Sequence, residues 1–321
     1  MNVKKNLFPK SVIFGLKGYQ LTNEEKEVFQ NINPLGFILF ERNCKNFKQT
    51  KLLVKELKQH VKHDFPLVMI DQEGGRVSRL KKPNWQEYPS AESFGIKATK
   101  NLNLAKKQVF NNSKKIGLDL HKLGININCA PVLDVKYSYT NKIIGDRSFS
   151  SDPKIVSELG KSFCEGLKTA GIIPVLKHIP GHGCSRVDSH KAKPFVNLDL
   201  KSLNTKDFVP FKKLNTEFFA MIAHIVYQKI DSSIATKSKK IIENIIRKKI
   251  RFKGLLISDD INMKALKGNM KSNITKILSS GCDIILHCNG NIKEINYIKD
   301  FIPKIDTKKF LKLKAIMRKF N

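Results

Sequence analysis

Eight short runs of β-branched and aromatic residues recur along the chain, and a polar, lysine-rich segment with helical spacing follows each of them. This alternation is the pattern of repeated β-α units. The runs are apolar almost throughout, which is typical of parallel strands that helices cover on both faces. The predicted strands span residues 11–15, 36–40, 67–71, 125–130, 172–177, 219–224, 254–259 and 283–287.

Eight such units in a chain of 321 residues favour a single (β/α)8 barrel, an α/β fold, over an open sheet. An open doubly wound sheet would have five to seven strands and a domain boundary. Proline and glycine lie at the ends of the predicted strands, and no repeat or low-complexity linker divides the chain. We therefore predict one barrel domain over residues 1–321.

The chain is strongly basic, with 59 Lys and Arg against 28 Asp and Glu and a formal net charge of +31. Such a balance raises the question of a polyanionic partner, and a basic nucleic-acid-binding protein is the alternative from another functional class. The densest stretches, at 237–242 and 308–314, carry apolar residues at helical spacing. We interpret them as solvated helix faces and predict no nucleic-acid partner.

The six cysteines contain no C-x-x-C pair, and several lie inside apolar runs, where a thiol behaves as a small hydrophobic group. This usage indicates a reducing cytosol. The apolar run at 11–16 is too short for a signal peptide, and no stretch approaches the roughly 18 apolar residues of a membrane span. We therefore predict a cytoplasmic protein without a membrane partner.

Charged and imidazole side chains follow five of the eight predicted strands at the point where each strand ends. In a parallel barrel these ends lie on one rim, so residues that are distant in sequence meet in one pocket. A charge beside a buried strand is costly unless it is paired or used, which favours an active site at this rim. The residues are Asp71, Asp134, Lys177, His178, His224, Asp259 and Asp260.

The loop after the fifth strand carries Asp188 and His190 two residues apart. In an extended loop such residues project to the same side, so the carboxylate can orient the imidazole as an acid/base group. A metal cluster of His178, His182 and His190 is the alternative. Its ligand spacing is looser than zinc sites usually have, and we predict neither a metal nor a cofactor.

Six ordered motifs resemble those of the β-N-acetylglucosaminidases of glycoside hydrolase family 3, specifically the short single-domain members. Their order and spacing make this resemblance far more specific than any single motif. It extends from about residue 36 to residue 289. In chain order, the six motifs are Asp71-Gln-Glu-Gly-Gly-Arg-Val, Ala130-Pro-Val-Leu-Asp, Gly145-Asp-Arg-Ser-Phe-Ser, Lys177-His-Ile-Pro-Gly-His-Gly, Asp188-Ser-His and Ser258-Asp-Asp-Ile-Asn-Met.

The resemblance implies a retaining mechanism in which Asp259 is the nucleophile and Asp260 its main competitor. Because successive strand residues point to opposite sides, we expect only one of these two to face the sugar. The dyad of Asp188 and His190 would serve as acid and base. By the same resemblance, the sugar hydroxyls and the acetamido group are held by Asp71, Arg79, Arg147, Lys177 and His178.

The resemblance also implies the biological setting. Short members of this family act in bacterial cell-wall recycling on GlcNAc-anhydromuramoyl peptides, and we expect a monomer that acts on this small carbohydrate substrate. Two alternatives within the family stay open: a phosphorylase that uses phosphate instead of water as the acceptor, and a β-glucosidase. Analysis of the released sugar distinguishes the phosphorylase from the hydrolase.

Overall fold

The computed structural model describes residues 8–186, 194–266 and 268–320. Eight parallel strands of these residues close into a barrel in the order β1-β2-β3-β4-β5-β7-β9-β10, which confirms the predicted (β/α)8 fold class. The strands are β1 Lys10–Gly15, β2 Pro34–Leu39, β3 Leu67–Ile70, β4 Ile127–Asn128, β5 Ile173–Ile179, β7 Phe219–Ile222, β9 Leu255–Asp260 and β10 Ile284–His287.

Helices fill the intervals between the strands and cover the outside of the barrel. They are α1 Asn23–Ile32, α2 Phe47–Gln59, α3 Ala91–Lys100, α4 Leu102–Lys122, α5 Pro153–Thr169, α6 Leu200–Thr205, α7 Phe208–Lys213, α8 Met270–Ser279, α9 Ile292–Ile298 and α10 Thr307–Phe320. A further segment, Ile241–Lys249, forms a π-helix between β7 and β9.

Except for the two-residue β4, each barrel strand supplies apolar side chains to two separate cores, because successive strand residues point to opposite faces. On β1, Ile13 belongs to the cluster inside the barrel, whereas Val12 and Phe14 belong to the cluster between strands and helices. On β9, Leu255 and Ile257 face inward and Leu256 faces the helices. The near-continuous apolar character of the strands follows from this double burial.

The C-terminal helix α10 closes the amino-terminal end of the barrel. Its Phe310, Leu313 and Met317 belong to the inner core, and Phe310 makes an edge-to-face contact with Phe8 at 5.1 Å between ring centroids. The basic stretch at 308–314 is therefore a helix with a buried apolar face, as its spacing predicted. The amino-terminal end is packed shut, which leaves the carboxyl end for chemistry.

The structure departs from the predicted strands in two places. The fourth strand pairs over only two residues, because Asn128 forms side-chain hydrogen bonds with the backbone of Gln72 (Oδ1 to N, 3.0 Å; Nδ2 to O, 2.9 Å) where a longer ladder would continue. A small parallel pair, β6 Phe195–Val196 with β8 Val226–Tyr227, lies outside the barrel and had no signal in the sequence.

All six cysteines are buried thiols that form no disulfide. This matches the prediction that they pack as small hydrophobic groups. Among the described helices, none combines the length and apolar character that crossing a bilayer requires.

Candidate active site

The carboxyl ends of the strands surround a cavity of about 450 Å³, which we call the rim cavity. The sugar-binding residues expected from the sequence lie on its wall together with the expected nucleophile: Asp71, Arg79, Arg147, Lys177, His178 and Asp259. The remaining wall residues are Ile38, Phe40, Arg42, Val77, Ile143, Met221, Asp260, Met263, Leu286, Cys288 and Asn289. The barrel thus brings distant parts of the chain to one cavity of the size that small ligands occupy.

Lys177 is the centre of a buried ion-pair network on one side of this cavity. It lies on β5, is only 2% exposed, and its Nζ contacts Asp71 Oδ1 at 2.7 Å and Glu73 Oε1 at 2.6 Å. The other oxygen of Asp71 accepts a hydrogen bond from Arg79 Nη2 at 2.9 Å. Asp71 therefore lies between two cations, Lys177 and Arg79.

Arg147 completes the network through a bidentate pair with Glu73. Its Nε donates to Glu73 Oε2 at 2.9 Å and its Nη2 to Glu73 Oε1 at 2.8 Å. The planar fork of arginine matches the two carboxylate oxygens and fixes both side chains. The loop between β3 and α3 thus meets the loop between β4 and α5 at this point.

The network, which we call the cationic wall, consists of Arg79, Asp71, Lys177, Glu73 and Arg147. Burial alone would raise the pKa of Asp71 and Glu73, but the neighbouring cations hold both below their ordinary values, that of Glu73 at about 2. Burial alone would lower the pKa of Lys177, but the two carboxylates raise it. All five groups are therefore charged at neutral pH, and the three cations leave one net positive charge at the wall.

A second buried carboxylate, Asp134, holds the imidazole of His178. The Nδ1–H of His178 donates to Asp134 Oδ2 at 2.7 Å, and the backbone amides of His178 and His182 donate to Oδ1 at 3.2 and 2.6 Å. Burial would raise the pKa of Asp134, but these histidines lower it to about 2. The carboxylate therefore fixes the ring orientation of His178 at the cavity wall.

Two strands change their register at the rim. Between β5 and β7, Lys177 pairs with Met221 but Ile179 pairs with Ile222, so β5 has one extra residue there. Between β9 and β10, the three residues from Ile284 to Leu286 oppose the four residues from Ile257 to Asp260, so β9 has one extra residue there. Such bulges redirect side chains, and they are common beside active sites.

The bulge in β9 brings Asp260 to the cavity wall beside Asp259, and we call these two residues the acidic wall. Strand alternation therefore does not by itself separate Asp259 from Asp260. Their hydrogen bonds do separate them. Asp260 Oδ1 accepts from the backbone amides of Cys288 (3.1 Å) and Asn262 (3.2 Å), whereas Asp259 Oδ1 accepts from the amide of Asp260 (2.8 Å).

His224, expected at the rim from its place at the end of a strand, is fully buried and is not among the residues on the cavity wall. Its Nδ1 lies 2.6 Å from Thr236 Oγ1, and its Nε2 lies 3.2 Å from the carbonyl oxygen of Asp260. Burial lowers its pKa. His224 therefore contacts the end of β9 from a buried position that is not on the cavity wall.

Asp188 and His190, the expected acid/base dyad, lie outside the described residues. The alternative metal cluster also includes His190, so the structure describes only two of its three members. The two other members, His178 and His182, have ring centroids 5.6 Å apart, and the first is bound to Asp134. Within residues 8–186, 194–266 and 268–320, no group of three or more potential ligand side chains has the arrangement that a metal ion needs.

Sequence reasoning assigned no role to Glu73 and no binding partner to Asp134. Asp134 was recognised only as a strand-end carboxylate. Glu73 belongs to the quoted motif Asp71-Gln-Glu-Gly-Gly, and its separation of two residues from Asp71 was the available signal. Gly74 and Gly75 take positive φ values of 96° and 60°, and this turn brings Glu73 back to Lys177 beside Asp71.

The sequence also matches the family described as glycosyl hydrolase family 3 N terminal domain over residues 10–318. The chain belongs to glycosyl hydrolase family 3. A β-hexosaminidase of Haemophilus influenzae is 36% identical over 299 residues, covering 90% of this chain and 83% of the relative. The family and glycoside hydrolase class that the motifs predicted are thus confirmed.

Solved family 3 structures resemble the whole barrel. The crystal structure of NagZ from Neisseria gonorrhoeae in complex with N-trifluoroacetyl-D-glucosamine matches with a TM-score of 0.90 and 29% identity, covering 97% of this chain and 90% of that one. A family 3 β-N-acetylglucosaminidase from Paenibacillus sp. str. FPU-7 matches with a TM-score of 0.89 and 26% identity; all of this chain covers 63% of it.

Proposed function

We propose that this family 3 enzyme is a retaining β-N-acetylhexosaminidase that removes terminal, non-reducing β-linked N-acetylglucosamine. Its β-hexosaminidase relatives match this chain over most of their own length, and a structural neighbour was solved in complex with an N-acylated glucosamine. The observation that carries the mechanism is that Asp259 shares one small cavity with the cationic wall. A reacting carboxylate and a sugar-sized set of charged donors thus surround the same space.

We assign sugar binding to Asp71, Arg79, Arg147, Lys177 and His178. Short ion pairs already link Lys177 to Asp71 directly and to Arg147 by way of Glu73, so a ligand meets groups that need little reorganisation. Hydrogen bonds from such fixed charges to sugar hydroxyls and to an acetamido group strengthen as the oxocarbenium-like state develops. The network would position one ring above Asp259.

We assign the nucleophilic step to Asp259. Its carboxylate attacks the anomeric carbon while the glycosidic C–O bond breaks, and a covalent glycosyl ester results. The leaving oxygen takes a proton from His190, which the carboxylate of Asp188 stabilises in its charged form. His190 then removes a proton from water, and this water releases the sugar with net retention of configuration.

We further propose that the catalytic domain spans residues 1–321 as a cytoplasmic monomer that needs no cofactor. Its substrates would be GlcNAc-anhydromuramoyl peptides from cell-wall recycling. The net charge of +31 fits acidic muropeptides, because a cationic protein attracts anionic substrates at low ionic strength.

The test is hydrolysis of an aryl β-N-acetylglucosaminide and of the matching β-glucoside, with a fluorinated glycoside to trap the intermediate and mass spectrometry to map the labelled peptide. We expect the label on Asp259 and a strong preference for the N-acetylated substrate. A label on Asp260, or no label with inverted product, contradicts the proposal. Sugar 1-phosphate as the main product in phosphate buffer would indicate the phosphorylase instead.

A further inference from the structure

Two segments of the chain form the side of the rim cavity that holds the acidic wall. The β9 segment, residues 259–263, comprises the end of β9 and the turn after it, and the β10 segment, residues 286–289, comprises the end of β10 and the residues after it. Three residues of each lie on the cavity wall: Asp259, Asp260, Met263, Leu286, Cys288 and Asn289. The contacts that hold these two segments together therefore act on the surroundings of Asp259.

Glu294, on α9, lies outside both segments and bonds to both through one carboxylate oxygen. Its Oε2 accepts a hydrogen bond from Asn262 Nδ2 of the β9 segment at 2.8 Å. The same oxygen accepts from two side chains of the β10 segment, Asn289 Nδ2 at 2.7 Å and His287 Nε2 at 3.0 Å. The carboxylate thus joins the turn after β9 to the end of β10.

The position and the charge of Glu294 are themselves fixed. Asn291 caps the start of α9 and donates from its Nδ2 to Glu294 Oε1 at 3.3 Å. Burial alone would raise the pKa of Glu294, but the hydrogen bonds from the three donors in the two segments lower it. Because an ionised carboxylate only accepts hydrogen bonds, all three side chains donate to it, and such charge-assisted bonds are stronger than neutral ones.

These hydrogen bonds fix the two backbone amides that hold Asp260. One amide belongs to Asn262 itself and donates to Asp260 Oδ1 at 3.2 Å. The other belongs to Cys288, which lies between the two donors of the β10 segment, and it donates to the same oxygen at 3.1 Å. The amide of Asp260 in turn donates to Asp259 Oδ1 at 2.8 Å. The hydrogen bonds of Glu294 therefore lead, through these amides, to the proposed nucleophile.

We propose that Glu294 is a positioning residue for the nucleophilic step: its carboxylate holds the β9 and β10 segments together and so fixes the orientation in which Asp259 meets the sugar. Glu294 is not among the residues on the cavity wall, so it acts through its three donors and not on the ligand. The inference rests on the proposed function, because it requires Asp259 to be the nucleophile. A displacement of about 1 Å in a reacting group can slow a reaction about 100-fold, so support of this kind affects the rate.

The main test is Glu294→Ala, which removes the acceptor and leaves the donors in place. We expect the rate at which a fluorinated glycoside labels the enzyme to fall about tenfold, because the carboxylate of Asp259 is then held less firmly. The inhibition constant of free N-acetylglucosamine should change less than about twofold, because the cationic wall that binds the sugar is untouched. An unchanged labelling rate, or an inhibition constant that rises as much as the rate falls, overturns the inference.

Glu294→Gln is the conservative variant. Its amide oxygen can still accept from the same donors, although without the negative charge, so we expect the labelling rate to fall by less than about threefold. This partial rescue is the signature of a role that acts through hydrogen bonds. A glutamine variant as slow as the alanine variant contradicts that role.

Glu56→Ala is the matched control. Glu56, on α2, has a side chain that is 30% exposed, against 32% for Glu294, and it likewise joins two elements, through an ion pair with Lys26 of α1 at 2.8 Å. It does not lie on the wall of the rim cavity, so its labelling rate and inhibition constant should match those of the unaltered enzyme. Thermal unfolding verifies that all three variants fold. If Glu56→Ala slows labelling as much as Glu294→Ala does, the effect is a general loss of rigidity and the inference is wrong.

The site of the label separates a failure of this inference from a failure of the proposed function. If the unaltered enzyme is labelled on Asp259 and Glu294→Ala is labelled at the same rate, only the positioning role fails. If the unaltered enzyme is labelled on another residue, the assignment of the nucleophile fails, and the positioning role fails with it.

Discussion

The cationic wall, at the carboxyl ends of β3 and β5, and the acidic wall, at the end of β9, both place carboxylates at the barrel rim, but different groups surround them. Asp71 and Glu73 each lie between two cations at distances of 2.6–2.9 Å. Asp260 instead accepts hydrogen bonds from the backbone amides of Asn262 and Cys288. Carboxylates at the same rim are thus surrounded by charged side chains in the cationic wall and by backbone amides in the acidic wall.

The consequence of this difference is an opposite shift in acidity. The cations overcome the desolvation of Asp71 and Glu73, and both pKa values fall. At Asp260 burial dominates, the charge of Asp259 adds to it, and the pKa rises. A carboxylate locked between cations is a rigid anchor for its neighbours but a weak nucleophile. This difference supports our proposal that the cationic wall binds the sugar and that the reaction takes place at the acidic wall.

The largest effect should come from Asp259→Asn, which removes the attacking carboxylate and keeps the shape of the acidic wall. We expect kcat to fall by about 10⁴-fold, the scale of losing a nucleophile, with the thermal midpoint nearly unchanged. Steady-state kinetics and calorimetry on the same preparation check both parts. An Asp259→Asn enzyme with normal turnover would show that Asp259 is not the nucleophile.

Lys177→Met should have the largest effect on stability, because it leaves the carboxylates of Asp71 and Glu73 buried with fewer cations. Breaking a buried pair in this way costs about 3–5 kcal/mol in the free energy of unfolding. Urea denaturation measures this loss. The control is Lys81→Met, whose ion pair with Glu41 is exposed and should cost less than about 1 kcal/mol. Equal losses for the two variants would mean that the cationic wall is no more than a surface network.

Glu73→Gln should change how stability depends on pH. The pKa of Glu73 is lowered from 4.5 to about 2 by folding, so its contribution is complete above pH 4.5 and is lost as the pH falls toward 2. We expect the variant to be about 1–3 kcal/mol less stable at pH 7, and this difference to shrink between pH 4.5 and 2. Denaturation at several pH values tests this, and a constant difference across that range would contradict it.

Asp260→Asn should have the smallest effect of the series. Asparagine keeps an oxygen that can accept from the amides of Asn262 and Cys288, so the end of β9 should retain its shape. Because burial raises the pKa of Asp260, its replacement also removes a charge that folding disfavours. We expect kcat to fall less than about tenfold. A loss as large as that of Asp259→Asn would reverse the assignment of the two aspartates.

The strands and the strand-end residues could be predicted because they depend on local pattern and simple topology. The apolar runs marked all eight barrel strands, and a parallel barrel puts every carboxyl end on one rim. Lys177 and Asp259 continue the inward series of their strands, so their place on the cavity wall follows from alternation. Asp71 follows its strand directly, and its place follows from topology alone.

The bulges, the partners and the small β6–β8 pair could not be predicted in the same way. A bulge adds one residue to a strand and leaves no mark in the hydrophobic pattern, so strand alternation would not have placed His178 and Asp260 on the cavity wall beside Lys177 and Asp259. Glu73 reaches Lys177 through a two-glycine turn. The contact of Asn262 with Glu294 joins residues 32 apart.

Hydrophobic periodicity and motif order run along the chain, so the sequence was enough to predict the barrel, the rim that carries the polar residues, and the family. The folded chain alone reveals which charged side chains pair with each other and how the ends of β5 and β9 bend toward the cavity. Those outcomes depend on distances of a few ångströms between segments far apart in the chain, and local pattern carries no such distances.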